Sequence, residues 1–300
     1  MRHHYVPQFL LSAWAEGNTD GKFVEFRLQL PDVPTRRRGK KETAFKYDLL
    51  ALSEPEVGGI SQQAIETKLM QRVDTDAALV RTQLIEQGAS GLSVSDRCDW
   101  ARFLISLNLR QPQFVEKNIR AKGTADLLQV LESDPEQNQW LAGLDDPPTL
   151  VEWVRKNQPG LIEDFGLTVV PGVIDNRVGG EKLINLGWIV RDLSPAKNEL
   201  ILGDKPLISI GKLDAPSFAL VLPMSPTKLF VACRANGTIR AIESARPDVL
   251  VARANESSIE GASRWVYART EAPGRFIRNR AAILNRIRVP RDGSSEQVRG

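Results

Sequence analysis

Cysteine and histidine are both scarce in this chain of 300 residues, which contains two of each. Cys98 and Cys233 lie far apart in the sequence, and no cysteines have the spacing of a metal-binding motif. Neither a disulfide framework nor a structural zinc site is therefore expected. Each cysteine is predicted to be a small buried apolar residue.

Common catalytic motifs are missing as well. The sequence has no phosphate-binding loop, no glycine motif for dinucleotides, no Gly-x-Ser-x-Gly elbow and no His-x-x-x-His. These absences argue against a P-loop ATPase, a Rossmann dehydrogenase, a serine hydrolase and a zinc protease. Any imidazole chemistry must use one of the two histidines, since the chain has no others.

Long apolar runs are also absent. The most apolar later stretch, Phe218 to Leu222, is far too short to cross a bilayer. The N-terminus lacks the apolar segment of a signal peptide, so we expect a soluble cytoplasmic protein with no membrane partner. The net charge of +3 is small and does not by itself indicate nucleic acid. Hydrophobic residues, at 42%, suffice for a substantial core.

Both histidines stand near the N-terminus, within MRHHYVPQFLL at residues 1–11. Adjacent side chains on a strand point to opposite faces, so one imidazole can face a pocket while the other packs elsewhere. Pro7 favours an extended residue before it and suits the start of a helix. We predict a short extended arm carrying His3 and His4, then a helix from about Pro7. The pair can serve chemistry or form a structural hydrogen-bonded unit.

The next segment predicts a strand and a basic loop. Residues 22–30 alternate between apolar and polar side chains, which indicates a half-buried strand with Glu25 on its polar face. Residues 36–41 then hold five cations in six positions. These cations can contact phosphates or simply form a solvated loop.

The middle of the chain predicts helices that carry two candidate carboxylates. Apolar residues recur every three or four positions from Ile60 to Gln87. Glu66 and Asp74 project from roughly the same side of this helix, beside its apolar stripe. They can be metal ligands or a general base, or ordinary charges on a solvated face.

Arg110 stands where a second helix, opened by Ser95 and Asp96, is kinked or ended by Pro112. Its guanidinium can bind a carboxylate or a phosphate of a ligand. It can equally form a salt bridge to one of the acidic residues of the preceding helix. Further helices are predicted at about 113–131 and 150–156, with an exposed loop at 133–148 between them.

After Gly160 the pattern changes to short apolar runs between turn residues, which predicts strands. These runs are 186–193, 199–202, 218–222 and 228–233, and the last two form a hairpin. Asp204 follows the second of them and precedes a proline turn. It can project into a cleft or cap its own turn through a backbone amide.

Arginine dominates the C-terminal segment. Asn255 is predicted to cap a helix at about 256–267, and a last helix follows at about 276–289. The segment holds one acid, Glu271, against seven arginines, at positions 269, 275, 278, 280, 286, 288 and 291. Nucleic acid is a candidate partner of this segment, although helix C-termini also attract cations. Residues 293–300 are predicted to be a disordered tail.

The opening run resembles the signature of a bacterial family called domain of unknown function 4238. Its members begin with His-His-x-Val-Pro-Gln, followed by an aromatic residue and leucine. Weaker similarities are the acidic helix, where Asp74 stands for the usual Glu, an Arg-x-Pro at Arg110, and a Ser-Asp-x-Pro turn in which Gly203 replaces serine. The resemblance extends with gaps from residue 3 to about residue 267, and the family name implies no activity.

We predict an α+β fold: an N-terminal arm and strand, a helical middle, a short-stranded mixed or antiparallel sheet and closing helices. The helical part is expected at about 60–157 and the strand-rich part at about 160–250. Both belong to a single compact domain over residues 1–292. The sequence does not indicate an oligomeric state.

Two functions from different classes are compatible with these residues. The first is a metal-dependent hydrolase of phosphodiester bonds in nucleic acid, with Mg²⁺ or Mn²⁺. The second is a non-catalytic binding or sensing protein of a bacterial defence or regulatory system, in which the polar residues lock the N-terminal arm to the core. The catalytic candidates are His3 or His4 as general base or ligand, Glu66, Asp74 and Asp204 as metal carboxylates, and Gln8 and Arg110 as phosphate-positioning groups.

Overall fold

Helices and small antiparallel sheets make up this chain, which confirms the predicted α+β class. The computed structural model describes residues 1–57, 59–133 and 149–288. The strands are β1 (Arg2–His4), β2 (Phe23–Arg27), β3 (Thr35–Arg38), β4 (Phe45–Tyr47), β5 (Glu56–Val57), β6 (Ile60–Ser61), β7 (Gly187–Asp192), β8 (Leu202–Gly203), β9 (Ile208–Ile210), β10 (Ala219–Ser225), β11 (Lys228–Cys233) and β12 (Trp265–Ala268).

The helices concentrate in the middle and at the end of the chain. The α-helices are α1 (Gln8–Ala15), α2 (Gln71–Gln87), α3 (Val94–Leu109), α4 (Pro112–Phe114), α5 (Lys122–Ser133), α6 (Leu150–Asn157), α7 (Pro159–Thr168), α8 (Val170–Ile174), α9 (Arg177–Ile184), α10 (Asn236–Ser244), α11 (Pro247–Gly261) and α12 (Gly274–Arg288). Two π-helical segments, π1 (Ile65–Met70) and π2 (Val115–Ala121), lead into α2 and α5.

The N-terminal residues form the extended arm and the helix that the sequence predicts. Strand β1 pairs antiparallel with β4, and α1 follows after a short turn. The carbonyl of Pro7 accepts the N–H of Leu11 at 3.1 Å, which closes the first turn of α1. Trp14 is fully buried, and its indole N–H donates to the carbonyl of Leu200 at 2.9 Å. This hydrogen bond ties α1 to the later part of the chain.

Strand β2 lies inside a four-stranded antiparallel sheet of order β3-β2-β12-β8. The prediction of a half-buried strand is wrong, because residues 23–26 are all buried. Helix α12 covers one face, where Val24 and Phe26 pack with Ile277. On the other face Glu25 is only 4% exposed, since the Thr43 hydroxyl donates to its carboxylate.

The basic run begins as the edge strand of this sheet. Directly paired residues of antiparallel strands project from the same face. Glu25 lies opposite Arg36 on β3 and opposite Tyr267 on β12, so these three residues share a face. Residues 36–38 are therefore a strand and not a loop, although Arg36 and Arg37 are solvent-exposed as the solvated alternative expects.

The helices of the middle segment lie close to where periodicity predicts them. Helix α3 is capped by Ser93, two residues before the predicted start, and its hydroxyl accepts the Asp96 N–H at 3.1 Å. Helix α3 ends before Arg110, and Pro112 is the first residue of α4. The π2–α5 segment and α6 then confirm the third and fourth predicted helices.

Two predicted boundaries are wrong. The strand-rich part expected from residue 160 begins only at β7, because α7, α8 and α9 occupy most of residues 159–184. Asn255 lies inside α11, where its side chain bonds the N–H of Ile201 and the carbonyl of Glu199, each at 2.9 Å. The helix expected at 256–267 ends early because Trp265 and the residues after it pair with β2 and β8.

A second antiparallel sheet has the order β7-β11-β10-β9 and contains the predicted hairpin of β10 and β11. The largest hydrophobic cluster joins this sheet to α1 and α3 through Trp14, Trp100, Phe103 and Phe230, all fully buried, and also includes Ala77 and Leu84 of α2. Within the described residues, no helix has the length and apolar character to cross a membrane.

Some predictions fall beyond the described residues. These are the loop at 134–148, the last predicted helical residue Val289, Arg291 and the tail at 293–300. The single domain over residues 1–292 stays a prediction.

Candidate functional site

A cavity of about 610 Å³ lies between the β3-β2-β12-β8 sheet, the segment around β4 and the start of the α4–π2 helix. Its inner wall includes the buried side chains of Tyr5, Glu25, Thr43 and Asp204. Exposed side chains from β4, from π2 and from the turn before β12 form its mouth. Because several separate stretches of the chain build it, the cavity exists only in the folded protein.

Glu25 is the buried acid of this cavity. Thr43 Oγ1 donates to Glu25 Oε2, while Arg38 Nε lies 3.7 Å from Glu25 Oε1. Burial raises the pKa of the Glu25 carboxyl above its ordinary value, although Thr43 and the arginines at 38 and 36 oppose this. A buried carboxyl with a raised pKa can take up and release a proton during a reaction.

Two phenols stand beside this acid. Tyr267 is fully buried, and its hydroxyl lies 3.3 Å from Thr43 Oγ1. Burial raises the pKa of Tyr5 and of Tyr267, and the nearby charges of Asp204 and Glu25 add to the effect. Both phenols therefore stay protonated at neutral pH and can donate hydrogen bonds.

Asp204 lines the cavity, but its oxygens already have partners. Oδ1 accepts the N–H of Ser263 at 2.7 Å, and Oδ2 accepts those of Arg264 at 2.8 Å and Trp265 at 3.1 Å. Asp204 thus caps a distant turn that leads into β12, instead of its own turn. Burial raises its pKa, and the three backbone N–H groups oppose the shift.

Cations surround the mouth of the cavity. Lys46 is paired with Glu116 at 2.7 Å, and Arg38 approaches Glu25. Lys117 and Arg264 also line the mouth, and neither forms an ion pair within the described parts of the chain. Glu116 and Lys117 belong to π2, a helix type that is frequent at functional sites.

His3 lies in a closed hydrogen-bond network away from the cavity wall. The side chain is 1% exposed, its Nδ1 accepts the Leu50 N–H at 3.0 Å, and its Nε2 lies 2.8 Å from Gln63 Oε1. Gln63 in turn donates to Asp48 at 3.1 Å. Burial lowers the pKa of His3. With both ring nitrogens occupied, the geometry favours the structural alternative for this residue.

His4 and Gln8 form a separate pair. Gln8 Nε2 lies 3.3 Å from His4 Nδ1, and the His4 ring centroid lies 5.6 Å from that of Phe45. His4 Nε2 is buried without a hydrogen-bond partner in the described structure. Burial, followed by the charges of Arg2 and His3, lowers the pKa of His4 to about 4. The imidazole is therefore neutral at physiological pH.

Arg110 is paired inside the protein. It is 2% exposed, its Nη1 donates to Asp74 Oδ2 at 3.0 Å, and its Nη2 donates to Ser106 Oγ at 2.7 Å. Of the two roles predicted for Arg110, this geometry fits the salt bridge to an acidic residue of the preceding helix. Glu66 belongs to the same group: burial raises its pKa to about 7, with Arg110 opposing the shift and Asp74 adding to it.

The seven sequence candidates do not converge on one centre. Asp204 lines the cavity, whereas the other six are not among its described lining residues. Nor do any three His, Cys, Asp or Glu side chains of the described residues lie close enough to hold a metal ion. The expected carboxylate set of Glu66, Asp74 and Asp204 is therefore not assembled, because Asp204 is bound to the turn before β12.

The C-terminal arginines are also partly paired. Arg269 lies 3.5 Å from Glu199, and Arg280 binds Glu256 and Glu260. Arg275 and Arg278 are exposed on α12. A nucleic-acid partner on this helix has no further support from the described residues.

Sequence reasoning missed most of the cavity residues, among them Tyr5, Glu25, Thr43, Lys117 and Arg264, although it named Arg38 within the basic run as a possible phosphate contact. Tyr5 occupies the variable position of the opening motif. Glu25 lies on the strand face that was predicted to be exposed to solvent. The one available signal was an acid inside an otherwise apolar strand, because a buried charge needs a partner or a function.

Searches of curated proteins and of solved structures each found no match. A family model described as protein of unknown function (DUF4238) matches residues 2–272. That match confirms the family that the sequence suggests and covers most of the chain. The chain belongs to the family of proteins of unknown function DUF4238.

Proposed function

We propose that the cavity binds a small phosphorylated ligand that carries hydroxyl or amine groups, such as a nucleotide or a sugar phosphate. This places the protein in the binding or sensing class. The observation that carries the proposal is the order of groups in the cavity: the acids Glu25 and Asp204 and the Tyr5 phenol inside, and the unpaired cations Lys117 and Arg264 at the mouth of the described structure.

The size of the cavity suits such a ligand. Sites for small molecules have volumes of roughly 300–1,000 Å³, and about 610 Å³ lies within that range. The lining combines apolar rings, among them Phe45 and Trp265, with a few polar groups that can fix orientation.

The mouth has cationic groups for a phosphate. Lys117 and Arg264 have no ion-pair partner in the described chain, and the buried Nε of Arg38 has no hydrogen-bond partner there. A phosphate offers oxygens that accept charge-assisted hydrogen bonds from Lys117 and Arg264.

The inner wall has acceptors and donors for hydroxyl or amine groups. Glu25 Oε2 accepts from Thr43, but the nearest cation to Oε1 is at 3.7 Å. Oε1 can therefore accept a hydrogen bond from a ligand, and the Tyr5 phenol can donate one.

A titration with paired compounds tests this proposal. Adenosine 5′-monophosphate and glucose 6-phosphate are compared with adenosine and glucose by calorimetry and by thermal shift. We expect at least one phosphorylated compound to bind more tightly than its unphosphorylated partner. A Lys117→Ala/Arg264→Ala double variant should weaken that binding by about 100-fold or more, since each of the two lost charged hydrogen bonds costs roughly 1.5–3 kcal/mol.

The control removes two exposed cations elsewhere. Arg155 and Lys156 are exposed on α6 and do not line the cavity. An Arg155→Ala/Lys156→Ala variant should bind like the wild type. The proposal is wrong if no phosphorylated compound binds, or if both double variants bind equally well.

A phosphodiester hydrolase is the second candidate, and the raised pKa of Glu25 favours it. Water attacks the phosphorus, the bond to the leaving oxygen breaks, and the Glu25 carboxyl gives that oxygen a proton. The carboxylate regains a proton from the attacking water. His3 and Arg110 take no part, because their polar atoms already have protein partners.

Cleavage of labelled DNA or RNA, with and without Mg²⁺ or Mn²⁺, tests the second candidate. Glu25→Gln should abolish cleavage. Absence of cleavage by the wild type under all conditions removes the hydrolase and leaves the binding function.

A further inference from the structure

The ribbon formed by β1 and β4 carries an exposed aromatic face beside the cavity. Arg2 lies opposite Tyr47, and His4 lies opposite Phe45. Residues two apart on a strand, and residues directly opposite on its partner, share one face. These four side chains, which we call the aromatic ribbon, therefore form one surface.

The rings of the aromatic ribbon are in mutual contact. The centroid of Phe45 lies 5.6 Å from that of His4 and 5.5 Å from that of Tyr47. The guanidinium of Arg2 lies 4.6 Å from the Phe45 centroid and 5.9 Å from the Tyr47 centroid. These contacts hold the four side chains together and leave Tyr47, at the outer end of the ribbon, 61% exposed.

The aromatic ribbon is continuous with the cavity and is basic. Phe45 and Lys46 both line the cavity. Arg2 donates to the carbonyl of Lys41 at 3.2 Å, so the exposed end of the basic run lies beside the ribbon. A ligand that extends out of the cavity across Phe45 therefore meets the exposed Tyr47 ring beside the guanidinium of Arg2.

We propose that the ligand is the phosphorylated end of a single-stranded nucleic acid, with its terminal nucleotide in the cavity and the next base stacked at Tyr47. This inference rests on the proposed function of the cavity. Aromatic rings that stack bases beside cations that contact phosphates are the general means by which proteins bind single strands.

The inference also assigns a task to the two motif residues that lie outside the cavity. Gln8 holds the neutral His4 ring, and His4 packs against Phe45. His4 and Gln8 are then positioning residues for Phe45, at the junction between cavity and ribbon.

The experiment compares adenosine 5′-monophosphate with a 5′-phosphorylated tetra-deoxyadenylate that carries fluorescein at its 3′ end. Binding is followed by fluorescence anisotropy and by competition. The wild type should bind the tetranucleotide at least 10-fold more tightly than the mononucleotide. Tyr47→Ala should weaken binding of the tetranucleotide by roughly 5- to 150-fold and leave the affinity for the mononucleotide unchanged. Tyr47→Phe should retain tight binding, because it keeps the ring.

The matched control is Phe276→Ala, which removes a 40% exposed ring from α12. It should change neither affinity, and melting curves should show that both alanine variants are folded. Equal affinity of the wild type for the two ligands overturns the inference, as does a Tyr47→Ala variant that binds both normally. In those cases binding of the mononucleotide still supports the proposed function, whereas failure of every phosphorylated compound to bind rejects both.

Discussion

The buried hydrogen-bond networks around His3 and Arg110 are rich in polar side chains, and so is the cavity. The two regions differ in how those side chains are paired. Both ring nitrogens of His3 have partners, and Arg110 binds Asp74 and Ser106. In the cavity, Glu25 Oε1, Lys117 and Arg264 keep hydrogen-bonding capacity that the described protein does not use. Saturated buried groups stabilise a fold, whereas unsaturated groups on a cavity wall are available to a ligand.

This difference separates two kinds of motif residue. His3 and Arg110 resemble the family pattern, yet their geometry is that of structural groups. Tyr5 lies between His4 and Val6 in the same motif, and it lines the cavity. Membership of a motif therefore does not show which residues contact a ligand.

Removal of His3 should give the largest loss of stability. His3→Ala leaves the Leu50 N–H and the Gln63 side chain without their partner and opens a space in the buried arm. We expect a loss of about 3 kcal/mol in the free energy of unfolding, measured by urea denaturation. Lys117→Ala at the cavity mouth should stay within about 0.5 kcal/mol of the wild type. Similar losses for the two variants would contradict the distinction between the regions.

Glu66 should make stability fall as the pH rises. Its folded pKa of about 7 lies above the ordinary 4.5, so the folded state binds the proton more tightly than the unfolded chain. The resulting stabilisation is present below pH 4.5 and is lost as the pH rises through about 7. Glu66→Gln should match the wild type at pH 5 and exceed it by about 2 kcal/mol at pH 8 in urea denaturation.

Glu86→Gln is the control for this prediction, since Glu86 is an exposed carboxylate on the same helix. It should not change the difference in stability between pH 5 and pH 8. If Glu66→Gln behaves in the same way, the Glu66 carboxyl is ionised in the folded protein at both pH values.

His4 should have an effect of similar size with the opposite sign. Its folded pKa of about 4 lies below the ordinary 6.5, so the unfolded chain binds the proton more tightly. The stability that depends on the neutral ring is present above pH 6.5 and is lost as the pH falls through about 4. His4→Asn, which keeps an acceptor for Gln8, should lose about 2 kcal/mol less than the wild type between pH 7 and pH 4.5. An equal loss of stability in both proteins would mean that His4 is protonated in the folded protein at pH 4.5.

Much of the fold was predictable where local pattern and tertiary environment agree. Strand β11 occupies the predicted residues 228–233, and α1 begins directly after Pro7. The prediction failed where long-range pairing decided the outcome. Trp265 and its neighbours are a strand because β2 and β8 pair with them, although the sequence pattern predicted a helix.

The site was less predictable than the fold. Glu25 was assigned to a solvent face because β2 alternates, and alternation does not show what covers the polar side. Thr43 and Arg38 cover it, and they become neighbours only when β3 and the segment before β4 fold back.

The sequence by itself determined the α+β class, the helical middle, the N-terminal arm and membership of the family, because these depend on local periodicity, proline and a contiguous motif. Only the tertiary structure decided which polar residues are saturated and which line a cavity. The reason is that hydrogen-bond saturation depends on partners far apart in the chain. Asp204 and the turn at residues 263–265 are one example, and His3 and Gln63 are another.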